Sequence, residues 1–210
     1  CHDSTCESHE KGIFMTEDDD GTSYYYRGSV ENNYVKFAGY YWRVIRINGN
    51  GSIRMIYDGT SAHDNGKFEE DRFYMSTTFN KSNTDNMHVG YMYASGNAHG
   101  LSTSSTIKIA NDNFYTAKLY NYANYIDNVP GFCGDRSITT GLGYSDSENV
   151  SYSSQDRYIK TKEPTFKCQE ENDLFTLSTN ILGNKALTYP IGLITVDELM
   201  ASGIADGYIN

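Results

Sequence analysis

From Tyr24 to Tyr57 the chain alternates short apolar or β-branched runs with breaks rich in Asn and Gly. The runs are Tyr24–Arg27, Tyr34–Phe37, Tyr40–Ile47 and Ile53–Tyr57, and the breaks are Asn32-Asn33, Ala38-Gly39 and Asn48-Gly49-Asn50-Gly51. Asn and Gly accept the positive φ that tight hairpins need, so the breaks predict turns and the runs predict antiparallel strands. The plainest hairpin pairs Trp42-Arg43-Val44-Ile45-Arg46-Ile47 with Ile53-Arg54-Met55-Ile56-Tyr57. Asp58 to Ser104 reads mostly as loop, with a short strand at Tyr91-Met92-Tyr93. Ser104-Ser105-Thr106 then offers N-cap chemistry, and Ile107, Ala110, Phe114 and Ala117 fall on one helix face. A second short helical stretch is expected over Tyr120–Ile126, with Asp127 to Gly131 as its stop. Strands are expected at Leu174–Leu177 and Tyr189–Ile194. Thr195 with Glu198 makes a capping-box pattern for a last helix that Gly203 ends.

The expected fold is α+β, a β-rich antiparallel meander with two or three short helices and long loops. Residues 1–22 are polar and acidic and read as an N-terminal arm, which leaves 23–210 as a single β-rich domain. No repeat at a fixed period divides the 210 residues.

Composition narrows the partners. The net charge of −10 opposes binding to phosphate backbones and anionic lipid, both of which reward Lys and Arg clusters. Nucleic acid is therefore excluded as an expected partner. No apolar run is long enough to span a bilayer, and no charged-then-apolar signal segment opens the chain. Because the chain starts at Cys1, that cysteine has three open readings: a lipoprotein anchor, the boundary of an excerpt, or a disulfide partner for Cys6.

Four cysteines allow three pairings, and their spacing favours Cys1 with Cys6 and Cys133 with Cys168. The second pair would clamp a Ser-, Thr- and Tyr-rich excursion, Ile138–Lys167, as a displayed loop. The alternative is free buried thiols in a cytosolic protein, and no CxxC or Cys/His spacing suggests a metal in their place.

Candidate chemistry is sparse. The run Glu17-Asp18-Asp19-Asp20-Gly21 could wrap Ca²⁺ with oxygen ligands from Asp18, Asp19 and Asp20, but it lacks EF-hand spacing and reads first as a solvated arm. His2, His9, His63, His88 and His99 are scattered and share no helix face. There is no GxSxG elbow, and Cys133 reads as a structural half-cystine rather than a catalytic thiol. No catalytic set and no resident cofactor are expected. The 19 tyrosines supply flat rings beside Asn, Asp and Ser, a composition suited to sugar or protein contact. Trp42 is expected in the core, and the loop rings Tyr91 and Tyr93 are the candidate ligand contacts.

Several phrases are familiar together: Gly21-Thr22-Ser23-Tyr24-Tyr25-Tyr26-Arg27-Gly28, Asn32-Asn33-Tyr34-Val35-Lys36-Phe37-Ala38-Gly39 and Tyr41-Trp42-Arg43-Val44-Ile45-Arg46-Ile47-Asn48-Gly49. With Gly131-Phe132-Cys133-Gly134-Asp135-Arg136-Ser137 and Leu187-Thr188-Tyr189-Pro190-Ile191-Gly192-Leu193-Ile194-Thr195, they resemble a family of uncharacterised surface or secreted proteins of gut Bacillota, over nearly everything from Gly12 to Gly203. The resemblance implies export and carries no activity onto particular residues. The tail is also remotely similar to C-type-lectin-like and formylglycine-generating-enzyme-like domains. Members of the surface family usually continue past this point into a Trp-containing segment and a final strand, whereas this chain stops at Gly207-Tyr208-Ile209-Asn210.

The expected function is an extracellular, non-catalytic binding or adhesion module on a bacterial surface, with a host or bacterial glycan or protein as ligand. Two alternatives stand beside it. One is a surface-filament subunit that self-assembles by completing its sheet from a neighbour; the other is an enzyme of the formylglycine-generating type.

Overall fold

The hairpin runs pair into one antiparallel sheet: β1 (Gly12–Asp18), β2 (Gly21–Arg27), β3 (Tyr34–Phe37), β4 (Tyr40–Ile47) and β5 (Ile53–Gly59). The computed structural model describes residues 11–64, 69–82, 86–140 and 150–203. β4 is the hub. β5 lies along one edge of it, while β3 and β2 share the other, β3 at Tyr40–Arg43 and β2 at Arg46 and Ile47. The Ala38-Gly39 turn carries positive φ at both residues, as a tight hairpin requires.

Residues 12–22 are not a free arm. Ile13, Met15 and Glu17 alternate with Phe14, Thr16 and Asp18, so the segment has a strand's period of two and pairs with β2 from Gly12↔Arg27 to Asp18↔Gly21. Asp19-Asp20 becomes the loop of that hairpin. The acidic run masked the alternation preceding it.

The chain also parts into two compact units where a single domain was expected. Unit 1 takes the described parts of Cys1–Ser76, Thr161–Lys167 and Val196–Asn210; unit 2 takes those of Thr77–Lys160 and Cys168–Thr195.

In unit 1 the inner face of the sheet is closed by the short helix Val196–Ala201, whose Met200 and Ala201 are buried. Cross-strand register places Phe14, Tyr25, Arg46 and Arg54 in one inner row. Phe166 packs on it, 5.2 Å from the Tyr25 ring and 4.7 Å from the Arg46 guanidinium. Glu198, expected to serve the helix cap, instead reaches Arg46 and Arg54. Trp42 is buried as expected, its Nε1 donating to the Phe37 carbonyl at 2.9 Å.

Unit 2 is built from short pieces around Tyr91, Met92, Phe175 and Leu187, with Ile107, Phe132 and Leu193 against them. β6 (Met92–Tyr93) pairs with β7 (Thr103–Ser104), β8 (Phe132–Cys133) with β11 (Leu174–Phe175), and β9 (Ile138–Thr140) with β10 (Ser151–Tyr152). The strand expected over Leu174–Leu177 is thus shorter, and Tyr189–Ile194 forms no strand. Helix α1 (Thr106–Phe114) starts at the expected cap, with Ser105 Oγ accepting from Lys108 N. It then widens into a π-helical turn over Tyr115–Leu119. The wider turn rotates the buried face, so Tyr115 and Leu119 point inward and Ala117, expected on that face, is exposed. The stretch expected after it is a 3₁₀ helix, Tyr120–Tyr125. The coarse class holds: antiparallel sheets with few short helices.

Candidate functional site

The residues singled out in the sequence are scattered between the units. Tyr91, expected as a loop ring open to a ligand, is a core residue of unit 2. Its hydroxyl donates to the Ile191 carbonyl and accepts from Asn111 Nδ2, and burial pushes its pKa well up. Alternation along Tyr91-Met92-Tyr93 did not indicate which ring faces in. Tyr93 is half-buried, with the His88 ring 4.8 Å away. Cys133 and Cys168 are bonded within unit 2, with Cα atoms 5.4 Å apart; Cys1 and Cys6 lie outside the described residues. The stretch between the bonded cysteines is not a single displayed loop, since it contains β9, β10 and the helical turn α2 (Ser153–Asp156), and Phe166 bridges to Asp18 in unit 1.

Asp18 is buried and already committed. Its Oδ1 accepts from Asp20 N at 2.9 Å, and its Oδ2 accepts from Gly49 N at 2.9 Å and from Arg46 at 3.4 Å. A carboxylate turned into its own sheet is a poor open ligand for Ca²⁺. Asp19 and Asp20 sit in the turn beside it, and among the described residues no three His, Cys, Asp or Glu side chains gather into a group that could hold a metal ion.

One constellation missed in the sequence brings Ser, His and Asp together. In unit 1, His63 Nε2 lies 2.6 Å from Asp71 Oδ1 and 3.3 Å from Ser61 Oγ, while Nδ1 lies 3.7 Å from Asp58 Oδ2. Nucleophilic catalysis needs a lone pair on the nitrogen that faces the serine. Here that nitrogen faces a carboxylate at 2.6 Å, and the Ser61 hydroxyl donates to Asp71 Oδ2 at 2.9 Å rather than to the imidazole, so the set is not arranged for His63 to take the proton of Ser61. Asp71 Oδ2 accepts from the backbone N–H and hydroxyl of both Thr60 and Ser61. Burial alone would raise Asp71, but the hydrogen bonds from Thr60, Ser61 and His63 outweigh it and hold the carboxyl below the usual range. The set is a latch on the loop after β5.

Three further ionic contacts are internal. In unit 2, Asp173 is fully buried and accepts from Arg136 N at 2.5 Å and Arg136 Nε at 2.6 Å, while Arg136 Nη1 donates to the Met92 carbonyl. Lys108, also buried, donates to Asp112 Oδ2 at 2.7 Å. In unit 1, burial lowers Arg54 to about 10 despite the pull of Glu198.

The outer face of the unit 1 sheet displays an apolar row. On the outer face of the sheet, Met15 pairs with Tyr24, Tyr24 with Ile47, and Ile47 with Ile53. These four are 43%, 38%, 36% and 57% exposed, so register and exposure together define one continuous row across β1, β2, β4 and β5. At about 5 Å per strand it spans roughly 15 Å. Further along β5, Tyr57 is covered by Tyr74, whose neighbours Phe73 and Met75 are exposed. The apolar residues of β4 and β5 were legible as strand formers, but nothing in their order distinguished the helix-covered face from the open one. No known protein family, curated protein or solved structure matches this chain.

Proposed function

We propose that this chain is a non-catalytic binding or adhesion module carried on the outside of a bacterial cell, with the outer face of the unit 1 sheet as its contact surface. The observation that carries the reading is the registered row Met15, Tyr24, Ile47 and Ile53, since contiguous exposed apolar surface on a rigid sheet marks a contact site. The engagement of Asp18, His63, Lys108 and Asp173 with partners of their own chain supports a binding rather than a chemical role. The Cys133–Cys168 disulfide and the likeness to surface proteins of Bacillota support the location. The remote lectin-like likeness of the tail is the reason to test glycans beside proteins.

Glycan and protein arrays probed with the purified chain and with a Tyr24→Ser/Ile53→Ser variant test this. A ligand held by the wild type and lost by the variant is expected. Turnover of a small substrate with no array ligand would overturn the reading.

A further inference from the structure

The arginines of the unit 1 sheet are drawn to its inner face. Arg46 and Arg54 point inward to Asp18 and Glu198, and Arg27 stands over the Phe14 ring and donates to the Ala201 carbonyl. On the outer face, Glu17 continues the alternation of Ile13 and Met15, and it accepts from Thr22 across the hairpin at 2.7 Å. The turn that follows is Asp19-Asp20. The apolar row thus lies beside an acidic margin, while the arginines of β2, β4 and β5 face away from it.

On the reading of this chain as a binding module, we propose that the outer face takes a polypeptide segment of a partner protein that presents apolar side chains flanked by lysine or arginine. The apolar row supplies contact area, and Glu17, exposed on the same face, supplies the complementary charge. Charge also decides against the other occupants. A second copy would bring together two chains that each carry a net charge of −10. An anionic lipid surface would meet the same margin with like charge.

The test uses the full chain and a synthetic amphipathic Leu/Lys peptide, with its Leu/Glu counterpart, read by fluorescence anisotropy. The wild type is expected to bind the Leu/Lys peptide and not the Leu/Glu one. An Ile47→Ser/Ile53→Ser variant, which leaves the net charge unchanged, is expected to weaken binding by about tenfold or more, and Glu17→Gln is expected to weaken it and reduce its salt dependence. Both sites are exposed, so circular dichroism and Tm should report an intact fold. A Phe79→Ser variant in unit 2 should bind like the wild type. Equal affinity for wild type and double variant overturns the proposal, because attraction to the net charge alone would then explain it. So does a dimer that the double variant abolishes, which makes a second copy the occupant, and so does binding to anionic vesicles lost in that variant. An array ligand retained by the double variant would sink this surface while leaving the binding-module reading intact. Turnover of a small substrate with no array ligand would sink both.

Discussion

Oε1 of Glu198 lies 3.1 Å from Nε of Arg46, and both side chains are almost fully buried. The same oxygen is 3.5 Å from Nη1 of Arg54, so one carboxylate stands between two guanidiniums on the inner face of the sheet. Removing it takes the shared carboxylate from two buried guanidiniums and leaves Asp18 beside Arg46. Glu198→Ala is expected to cost about 3–5 kcal/mol, as breaking a buried pair does. Arg54→Met should cost much less, because it ends a desolvation penalty and leaves Glu198 paired with Arg46. Urea denaturation of the two variants checks the order; equal losses would show that the network does not hold the helix.

Asp71 gives a pH dependence whose sign follows from its hydrogen bonds. Its folded pKa is depressed, so its contribution is present above the unfolded value of about 3.9 and is lost as pH falls through the folded value. Asp71→Asn is therefore expected to lower Tm at neutral pH, with the gap to wild type narrowing below about pH 4. A gap that stays constant down to strongly acidic pH would mean that the carboxylate charge does not fasten the loop at Thr60, Ser61 and His63.

The Cys133–Cys168 bond closes a loop with a sequence separation of 35. In the loop-entropy account its loss costs about 4 kcal/mol. Reduction should raise hydrogen exchange first in the adjoining ladder of Phe132–Cys133 with Leu174–Phe175 and leave the β4–β5 hairpin of unit 1 protected. Uniform deprotection of both regions would overturn this.

The parts of the structure that the sequence displayed are those governed by local chemistry. Turn glycines and β-branched runs located β2 to β5, and Ser105 located the start of α1. The parts it hid depend on tertiary pairing. β1 was concealed because an acidic hairpin loop looks like a solvated tail, and Tyr91 because it only adjoins a two-residue strand, Met92–Tyr93, too short for periodicity to show an inward side. Ala117 was misplaced because a π-helical turn shifts the phase of a helix without altering its composition. The His63 latch and the ionic row on the inner face join residues from different elements, and only folding brings them together. For the outer row the residues were visible and their exposure was not, since a strand with apolar residues on both faces does not say which face will be covered.

The β4–β5 turn offers a contrast between two glycines that separates sterics from conformation. Gly51 has φ +87, yet a Cβ there would meet nothing within 4 Å. Gly51→Ala should lose only the cost of left-handed backbone, about 1 kcal/mol. Gly49 is the reverse case. Its Cβ would stand 2.3 Å from Gly21 N and 2.6 Å from Asp18 Oδ1, and the first of these is backbone with nowhere to give. Gly49→Ala must push the β1–β2 turn off the β4–β5 turn, which lengthens the hydrogen bond from Gly49 N to Asp18 and disturbs the carboxylate that faces Arg46. It should therefore destabilise unit 1 more than Gly51→Ala. Because Gly49→Ala and Asp18→Asn break the same contact, their combined loss should fall short of the sum of the single losses. Chemical denaturation of the two single variants and the double variant measures that coupling. Strict additivity would show that the two turns are held together by something other than Asp18.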